Sequence, residues 1–268
     1  MVVRNKRLWM APTLLAAALV ATLAFAKPGG DAATAITLKP TADQADAAVM
    51  ATRILTRMHY KPEAFDTKMS QQVFDRYLDQ LDADRLFFTQ ADVDRFTPAR
   101  DKLGDAIRNK DLSVPFAIFN LYVERVGERT AYARAELKKG FDFTKDESYQ
   151  YQREKAPWAK TDAEANDLWR KRVKNDWLRL KLAGKDDKSI ADLLDKRYDN
   201  FLKRLNRTKS ADVFQAFMNA YTTAIEPHTN YLGPRAAADF DICAPQGSIP
   251  AITKQNTGGQ VSPTNGSE

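Results

Sequence analysis

Glycine is scarce through the body of this sequence, and this scarcity limits the folds open to the chain. Only five glycines occur between residues 31 and 242, namely Gly104, Gly127, Gly140, Gly184 and Gly233. Glycine marks turns and weakens helices, whereas helix-start signals recur along this stretch at spacings that suit helices joined by short connections. The sequence therefore predicts a mostly α protein, with a single irregular multi-helix domain over residues 41–242.

Short motifs mark where individual helices begin and end. A Thr or Ser hydroxyl accepts a hydrogen bond from a free amide at a helix start, and a Glu or Gln three residues later reaches back. The predicted starts are capping boxes at Thr41–Gln44 and Thr161–Glu164, an N-cap at Thr97 followed by Pro98, and a cap at Ser210. The predicted stops are Lys138-Lys139-Gly140, the region of Gly184, and Glu226-Pro227.

Apolar residues recur every three or four positions, which is typical of one face of a helix. These positions predict about seven helices. The stripes are Met50, Ile54 and Met58; Met69, Val73, Tyr77 and Leu81; Phe116, Phe119, Val123 and Val126; Trp169, Val173, Trp177 and Leu180; Ile190, Leu194, Tyr198, Phe201 and Leu205; and Val213, Phe214, Phe217 and Tyr221.

Two segments lack a helical stripe. Residues 141–160 are rich in aromatic residues and contain Pro157, which indicates a packed loop or a short pair of strands, with the loop favoured. Residues 243–268 hold four glycines, three prolines and only two charged residues, so they cannot build a core and are expected to be disordered. This tail is either a natural flexible extension or translated outside the reading frame of the preceding residues.

The N-terminus is typical of a cleavable export signal. Arg4, Lys6 and Arg7 precede an apolar run that ends in the small-residue site Ala24-Phe25-Ala26. An uncleaved anchor is the alternative, but the run contains Pro12 and falls short of the roughly 20 residues that span a bilayer. We therefore expect a signal peptide at residues 1–26, a linker at 27–40 and an exported protein.

The positive charge of the chain depends partly on that signal. The whole sequence carries 41 basic and 35 acidic residues, a net charge of +6, and removal of the three basic signal residues leaves +3. Acidic and basic residues alternate through the remainder, which is typical of solvated helix surfaces. The composition therefore gives little support to nucleic-acid binding.

Few residues offer metal or nucleophilic chemistry. One cysteine and two histidines, His59 and His228, exclude a Cys-rich zinc module and leave few soft ligands. For each histidine alone, a structural role is favoured over a catalytic one. The serines could supply a Ser-His-Asp triad by count, but none lies in Gly-x-Ser-x-Gly and several resemble helix caps: Ser70, Ser113, Ser148, Ser189 and Ser210.

Two further clusters have a functional and a structural interpretation. The acidic residues Asp82, Asp84, Asp92 and Asp94 could indicate calcium, but Leu86 stands where an oxygen ligand is needed, so a capped connection between helices is favoured. Trp169 and Trp177 could form a binding face, yet aromatic residues at helical spacing usually belong to a core. From the residues alone, we predict no catalytic, cofactor-binding or metal site.

Several segments, in order, resemble the N-terminal helical region of the tail-specific proteases, the periplasmic carboxy-terminal processing peptidases. The resemblance rests on residues 73–78 (Val-Phe-Asp-Arg-Tyr-Leu) with Leu81-Asp82, on Tyr149 and residues 155–158 (Lys-Ala-Pro-Trp), on Leu168-Trp169, on residues 180–185, and on residues 225–235. The run Pro-His-Thr-Asn-Tyr-Leu at 227–232 is its most specific part. The resemblance covers roughly residues 42–240, nearly the whole helical body.

This resemblance implies a fold and a function. Family members are expected to follow the helical region with a PDZ domain that holds substrate C-termini and with a serine-peptidase core, in which a neutral Lys activates a Ser hydroxyl. Protein substrates, a periplasmic location and a lipoprotein adaptor as partner are implied in the same way, and no cofactor is implied.

The sequence departs from the family pattern after Ile242. Where the PDZ domain is expected, residues 243–268 follow, and no position matches the catalytic Ser or Lys. We therefore expect a truncated or frameshifted chain that is inactive alone. The alternative is a stand-alone periplasmic helical module that binds protein, either as an adaptor or as a competitor of a full-length protease.

Overall fold

The computed structural model describes residues 37–234 and Ala237. The predicted signal peptide (1–26), most of the predicted linker (27–36 of 27–40) and the predicted tail (243–268) lie outside the described residues. Eight α-helices have both ends within the described residues: α1 (Ala42–Arg57), α2 (Thr67–Leu81), α3 (Gln90–Asp94), α4 (Leu103–Arg108), α5 (Ser113–Lys139), α6 (Asp162–Leu182), α7 (Asp187–Leu205) and α8 (Ser210–Ile225). No strand forms within those residues, so the mostly α prediction is confirmed.

The helix starts agree with the predictions in part. Thr41 and Gln44 form the expected capping box at the start of α1. Thr161 also caps α6, but the Glu164 carboxylate accepts from the Lys160 N–H (2.7 Å) rather than from Thr161. The spacing of a capping box therefore does not by itself determine which free backbone N–H the Glu164 carboxylate binds.

Two predicted caps are wrong. Thr97 is the first residue of a short 3₁₀ turn (Thr97–Ala99), and its hydroxyl donates back to the carbonyl of Val93 at 3.3 Å. Ser210 is the first residue of α8, and its hydroxyl lies 2.8 Å from the carbonyl oxygen of Lys39. Both hydroxyls therefore bind carbonyl oxygens of neighbouring segments, which a reading of local sequence does not anticipate.

The larger of two hydrophobic clusters is built from α1, α2, α4, α8 and the first half of α5. Helix α2 packs directly on α8. The Tyr77 hydroxyl, completely buried between them, donates to the carbonyl of Pro115 at 3.1 Å. Helix α1 contributes the small side chains Ala45 and Ala48, while the predicted methionine face is largely exposed, with Met58 at 77%. Small residues allow α1 to lie close against its neighbours.

The smaller cluster joins the second half of α5 to α6 and α7. Most of the predicted stripes of both later helices form its core, since Trp169, Trp177, Ile190 and Leu194 are all buried. The end of the α7 stripe, Phe201 and Leu205, is partly buried and packs against the larger cluster instead. Helix α5 is 27 residues long, about 40 Å, and therefore reaches both clusters. It ends at Gly140, whose φ of 74° lies in the left-handed region that favours glycine, as the sequence predicts.

The predicted packed loop at 141–160 is confirmed. Apart from an isolated bridge between Thr89 and Ala159, this segment has no regular structure. The Phe141 ring packs on Trp177 with centroids 5.7 Å apart. Glu147 accepts hydrogen bonds from Arg170 and Lys174 of α6, and these cations lower the pKa of Glu147 to about 2. The segment is thus fixed along α6. Within the described residues, every helix is too short or too polar to cross a membrane.

Candidate functional site

The two histidines lie near the same carboxylate but in different surroundings. The His59 Nε2 atom is 3.0 Å from the Thr229 hydroxyl, and this hydroxyl is 3.2 Å from the Glu226 carboxylate. His228 has a side chain 93% exposed, with Nε2 4.0 Å from Glu226. In a catalytic triad the carboxylate orients the imidazole, whereas here Glu226 contacts the threonine and His59 Nδ1 faces the carbonyl of Lys61 at 2.9 Å. The contacts fit a structural link.

Four of the serines make structural contacts at or near helix ends. The Ser70 hydroxyl accepts from the Gly104 N–H (3.2 Å), and the Ser189 hydroxyl donates to Asp186, the cap of α7, at 2.6 Å. The Ser113 N–H donates to Asp111 at 2.8 Å. With Ser210 bonded to the chain before α1, these hydroxyls and amides hold helix ends together.

Asp82, from the acidic set, organises the connection between α2 and α3. Its buried carboxylate accepts from the backbone N–H groups of Leu86, Phe87 and Phe88 and from the Trp158 indole. Burial raises the pKa of Asp82, and these four hydrogen bonds oppose that effect. The residues that the structure describes contain no group of three or more His, Cys, Asp or Glu arranged to hold a metal ion.

Asp92 forms a largely buried ion pair with Arg125. Its carboxylate accepts two hydrogen bonds from the Arg125 guanidinium, at 2.8 and 2.7 Å, and it completes a capping box with Thr89 at the start of α3. Burial would raise the pKa of Asp92, but the hydrogen bonds from Arg125 and Thr89 outweigh it and hold the pKa below its usual range. The pair ties α3 to α5.

Trp169 and Trp177 belong to the core, as the structural interpretation predicted. Trp169 is 2% exposed, and its indole donates to the carbonyl of Leu86 at 2.7 Å. Phe87 packs on Trp169 and also on Tyr122, so it joins the two hydrophobic clusters. These aromatic residues therefore stabilise the fold and offer no open binding face.

The structure reveals a cavity that the sequence analysis missed. It measures about 540 Å³ and lies among α6, α7, the 141–160 segment and the α2–α3 connection. Its lining combines charged and aromatic residues: Asp84, Tyr149, Tyr151, Gln152, Glu154, Arg172, Asp176, Arg179, Leu180 and Arg197. The spacing of 172, 176 and 179 places those three residues on one face of α6, which is a signal the sequence did carry.

Electrostatics in the cavity centre on Asp176. Burial raises the pKa of this carboxyl, and the neighbouring guanidinium groups of Arg172, Arg197 and Arg179 oppose that effect. The Arg197 guanidinium approaches Asp176 to 3.6 Å. The cavity is concave and its lining is largely polar, so its residues can bind a ligand through charge-assisted hydrogen bonds.

Comparison with known proteins identifies the family. Residues 51–235, well over half of the chain, match the profile of the tail specific protease N-terminal domain.

The chain belongs to the tail-specific protease N-terminal domain family. A curated protein of Haemophilus influenzae named tail-specific protease is 39% identical over 192 residues, which are 71% of this chain. The same alignment covers 28% of that relative, so the chain spans little more than a quarter of its length.

The motif that carried the resemblance has a defined place in this tail-specific protease domain. Residues 227–234 follow α8 and fold back along it, since the Tyr231 N–H donates to Asn219 (2.7 Å) and the Gly233 N–H to Gln215 (3.2 Å). The Tyr231 ring packs edge-on against Phe214, with centroids 5.3 Å apart. The segment is thus fixed to α8 and, through Thr229, to the end of α1.

Proposed function

We propose that this chain acts in protein processing, as the N-terminal helical domain of a serine-type peptidase that cleaves proteins recognised by their C-termini. The match over residues 51–235 carries the proposal. The name of the H. influenzae relative, tail-specific protease, supports the same class of activity. Proteins are the corresponding substrates.

The described domain contributes structure and protein contacts to that function, and no peptide-bond chemistry of its own. His59, Asp82 and Asp92 each have hydrogen-bond partners that hold segments of the fold together. We therefore expect the purified chain alone not to cleave an unfolded protein with an apolar C-terminus. Cleavage by the purified chain that a serine-directed inhibitor abolishes would contradict this assignment.

A genomic test separates the protease function from its alternative. Sequencing of the locus beyond the Ile242 codon, with translation in all three frames, is expected to reveal a PDZ-like segment and a Ser/Lys peptidase core. Their absence would favour a stand-alone binding module over the protease function.

The alternative is a periplasmic protein-binding module, an adaptor or a competitor of a full-length protease, with a lipoprotein adaptor as one partner. Exposed apolar side chains on and beside α6 and α7 are the feature that fits it, since Leu182 is 79% exposed and Tyr151 66% exposed, with Leu178 and Leu193 also exposed. Contiguous exposed apolar patches mark protein-binding sites. A chain that sediments as a monomer and unfolds cooperatively in urea would fit this alternative. A fragment of a protease is instead expected to self-associate.

We propose export to the periplasm through residues 1–26, with cleavage after Ala26. Fractionation of cells that express the chain is expected to place it in the periplasmic fraction, at a mass reduced by the signal. Replacement of Arg4, Lys6 and Arg7 by glutamate should retain the uncleaved precursor inside the cell. An unchanged distribution would contradict the export proposal.

A further inference from the structure

The cavity among α6, α7 and the 141–160 segment contains two guanidinium groups without an anionic partner. Arg172 and Arg179 both line it, and neither forms an ion pair or a side-chain hydrogen bond with any residue in the described part of the chain. Most other arginines that are at least partly buried have carboxylate partners, as Arg125 has Asp92 and Arg134 has Asp195, whereas Arg172 is partly buried without one and Arg179 is exposed. The donors of Arg172 and Arg179 therefore remain available to a ligand.

Aromatic rings hold both guanidinium groups in place. The Arg172 guanidinium lies 5.0 Å from the ring centre of Trp169, and that of Arg179 lies 5.2 Å from Tyr151. Stacking of this kind restricts an arginine side chain while leaving its in-plane N–H donors free. Two such groups, one turn on either side of Asp176, form a preorganised site for an acceptor.

The charges supplied by the two helices favour one negative group. Asp176 and Arg197 are already 3.6 Å apart, so they largely neutralise each other. Arg172 and Arg179 add two positive charges on the α6 side. Asp84 and Glu154, which come from the two non-helical segments, line the same cavity, so the lining carries three positive and three negative charges in all, and these two carboxylates would repel a ligand with several negative charges. A single carboxylate fits this balance better than a polyanion does.

A buried hydroxyl beside the cavity also lacks a partner. The Tyr198 residue is 6% exposed, and its hydroxyl makes no hydrogen bond. Burial raises the pKa of Tyr198 to about 12, and the charges of Asp176, Arg172 and Arg197 act on the same hydroxyl. These three residues line the cavity, whereas Tyr198 lies behind its lining. Unpartnered buried polar groups are rare in folded proteins, and the proposal below does not depend on this one.

We infer that this cavity binds a single carboxylate group, held by Arg172 and Arg179 through charge-assisted hydrogen bonds. Its volume of about 540 Å³ is in the range of small-molecule and short-peptide sites. The carboxylate belongs either to an acidic side chain of an extended polypeptide, whose backbone lies against Tyr149 and Tyr151, or to a free small carboxylic acid. The site stands on the geometry of the cavity and does not require the proposed protease function.

A titration followed by ¹H–¹⁵N NMR of the purified chain tests this inference. The probes are acetyl-Gly-Glu-Gly-amide, the matched acetyl-Gly-Gln-Gly-amide, propionate and inorganic phosphate. Saturable shifts in α6 are expected with the glutamate peptide, and binding about tenfold or more weaker is expected with the glutamine peptide, because a charge-assisted hydrogen bond is lost. If propionate binds as tightly as the glutamate peptide, the site is assigned to free carboxylic acids. If propionate binds more weakly, the site is assigned to polypeptide.

Variants separate a binding role from a structural one. Arg172→Gln and Arg179→Gln are each expected to weaken binding of the glutamate peptide by about tenfold or more. Arg204→Gln is the matched control, because Arg204 is exposed on α7 and does not line the cavity. Asp176→Asn removes a competing carboxylate and should tighten binding. Circular dichroism identifies any variant that unfolds. Because Arg179 is exposed, Arg179→Gln is expected to remain folded.

Several results would overturn the inference. Equal affinities for the glutamate and glutamine peptides would exclude carboxylate recognition. Phosphate that binds as tightly as the glutamate peptide would show attraction of any anion. If Arg204→Gln weakens binding of the glutamate peptide as much as Arg179→Gln does, a site in this cavity is excluded. The absence of saturable shifts with either carboxylate probe would exclude it as well. None of these results bears on whether the locus encodes a peptidase core, so the two proposals fail separately.

Discussion

The indole Nε1 of Trp158 donates a hydrogen bond to Oδ2 of Asp82, 3.2 Å away and 76 residues earlier in the chain. The same indole ring lies under the Arg85 guanidinium, 3.6 Å from the ring centre. Trp158 thereby fastens the end of the irregular 141–160 segment to the connection between α2 and α3. The Asp82 carboxylate also organises the α2–α3 connection, because it accepts hydrogen bonds from the N–H groups of Leu86 and Phe88.

Replacement of Asp82 should therefore be costly. Asp82→Ala leaves the buried N–H groups of Leu86 and Phe88 without an acceptor, and we expect a loss of about 3–5 kcal/mol in the free energy of unfolding. Asp82→Asn keeps one acceptor oxygen and should lose less. Asp84→Ala is the matched control, because Asp84 is exposed two residues away, and it should change stability by no more than about 0.5 kcal/mol. Urea denaturation measures all three, and equal costs for Asp82→Ala and Asp84→Ala would contradict the role assigned to Asp82.

Local sequence signals predicted much of the fold because their physical causes are local. The capping box at Thr41 and the left-handed Gly140 depend on atoms within a few residues, and both are confirmed. The short helix α3 was missed because five residues carry no periodic stripe. Ser210 was assigned wrongly because its hydroxyl binds the distant carbonyl of Lys39, and Thr97 because its hydroxyl bonds back to Val93 four residues earlier instead of capping forward.

The cavity required the tertiary structure. Arg172 and Arg179 share a face of α6, which spacing alone indicates, but a solvated helix surface has the same pattern. Only packing shows that Tyr151, Asp84 and Arg197 meet them around one space. The family resemblance could be recognised because the run at 227–232 is distinctive in sequence, while its hydrogen bonds to α8 and to His59 had no sequence signal.

Thr229 links two distant parts of the tail-specific protease domain, so its hydroxyl should matter to stability. Thr229→Val keeps the shape but removes the contacts with His59 and Glu226. We expect a loss of about 1–2 kcal/mol in the free energy of unfolding and faster amide hydrogen exchange in residues 228–233. Thr229→Ser restores the hydroxyl and should recover most of the loss. The control His228→Gln changes an exposed side chain and should have little effect. An unchanged exchange rate in Thr229→Val would show that the link does not hold the segment.

The Asp92–Arg125 pair should make stability depend on pH. Because the folded state holds the pKa of Asp92 below its usual range, the pair stabilises the fold above the pKa of the unfolded chain, near 4, and this stabilisation is lost as the pH falls through the lower folded value. Asp92→Asn should therefore cost about 2–3 kcal/mol at pH 7, and progressively less below about pH 4. Urea denaturation across this pH range measures the difference. The exposed neighbour Asp94 supplies the control Asp94→Asn, and a cost for Asp92→Asn that does not shrink in acid would contradict the assignment.

Two glycines in helices should respond to alanine with opposite signs. At Gly104 in α4, an added Cβ would lie 2.6 Å from the carbonyl oxygen of Phe65 and 3.0 Å from its ring, and backbone cannot move aside cheaply. Because Phe65 is itself buried against Tyr221, we expect Gly104→Ala to cost about 2 kcal/mol or more. At Gly127 in α5 nothing lies within 4 Å of the added Cβ, so Gly127→Ala should gain about 0.5–1 kcal/mol from reduced backbone entropy in the unfolded chain. Urea midpoints measure both variants. Since the same chemical change is made twice, a shift of the same sign at both sites would show that close packing of α4 on Phe65 does not decide the outcome.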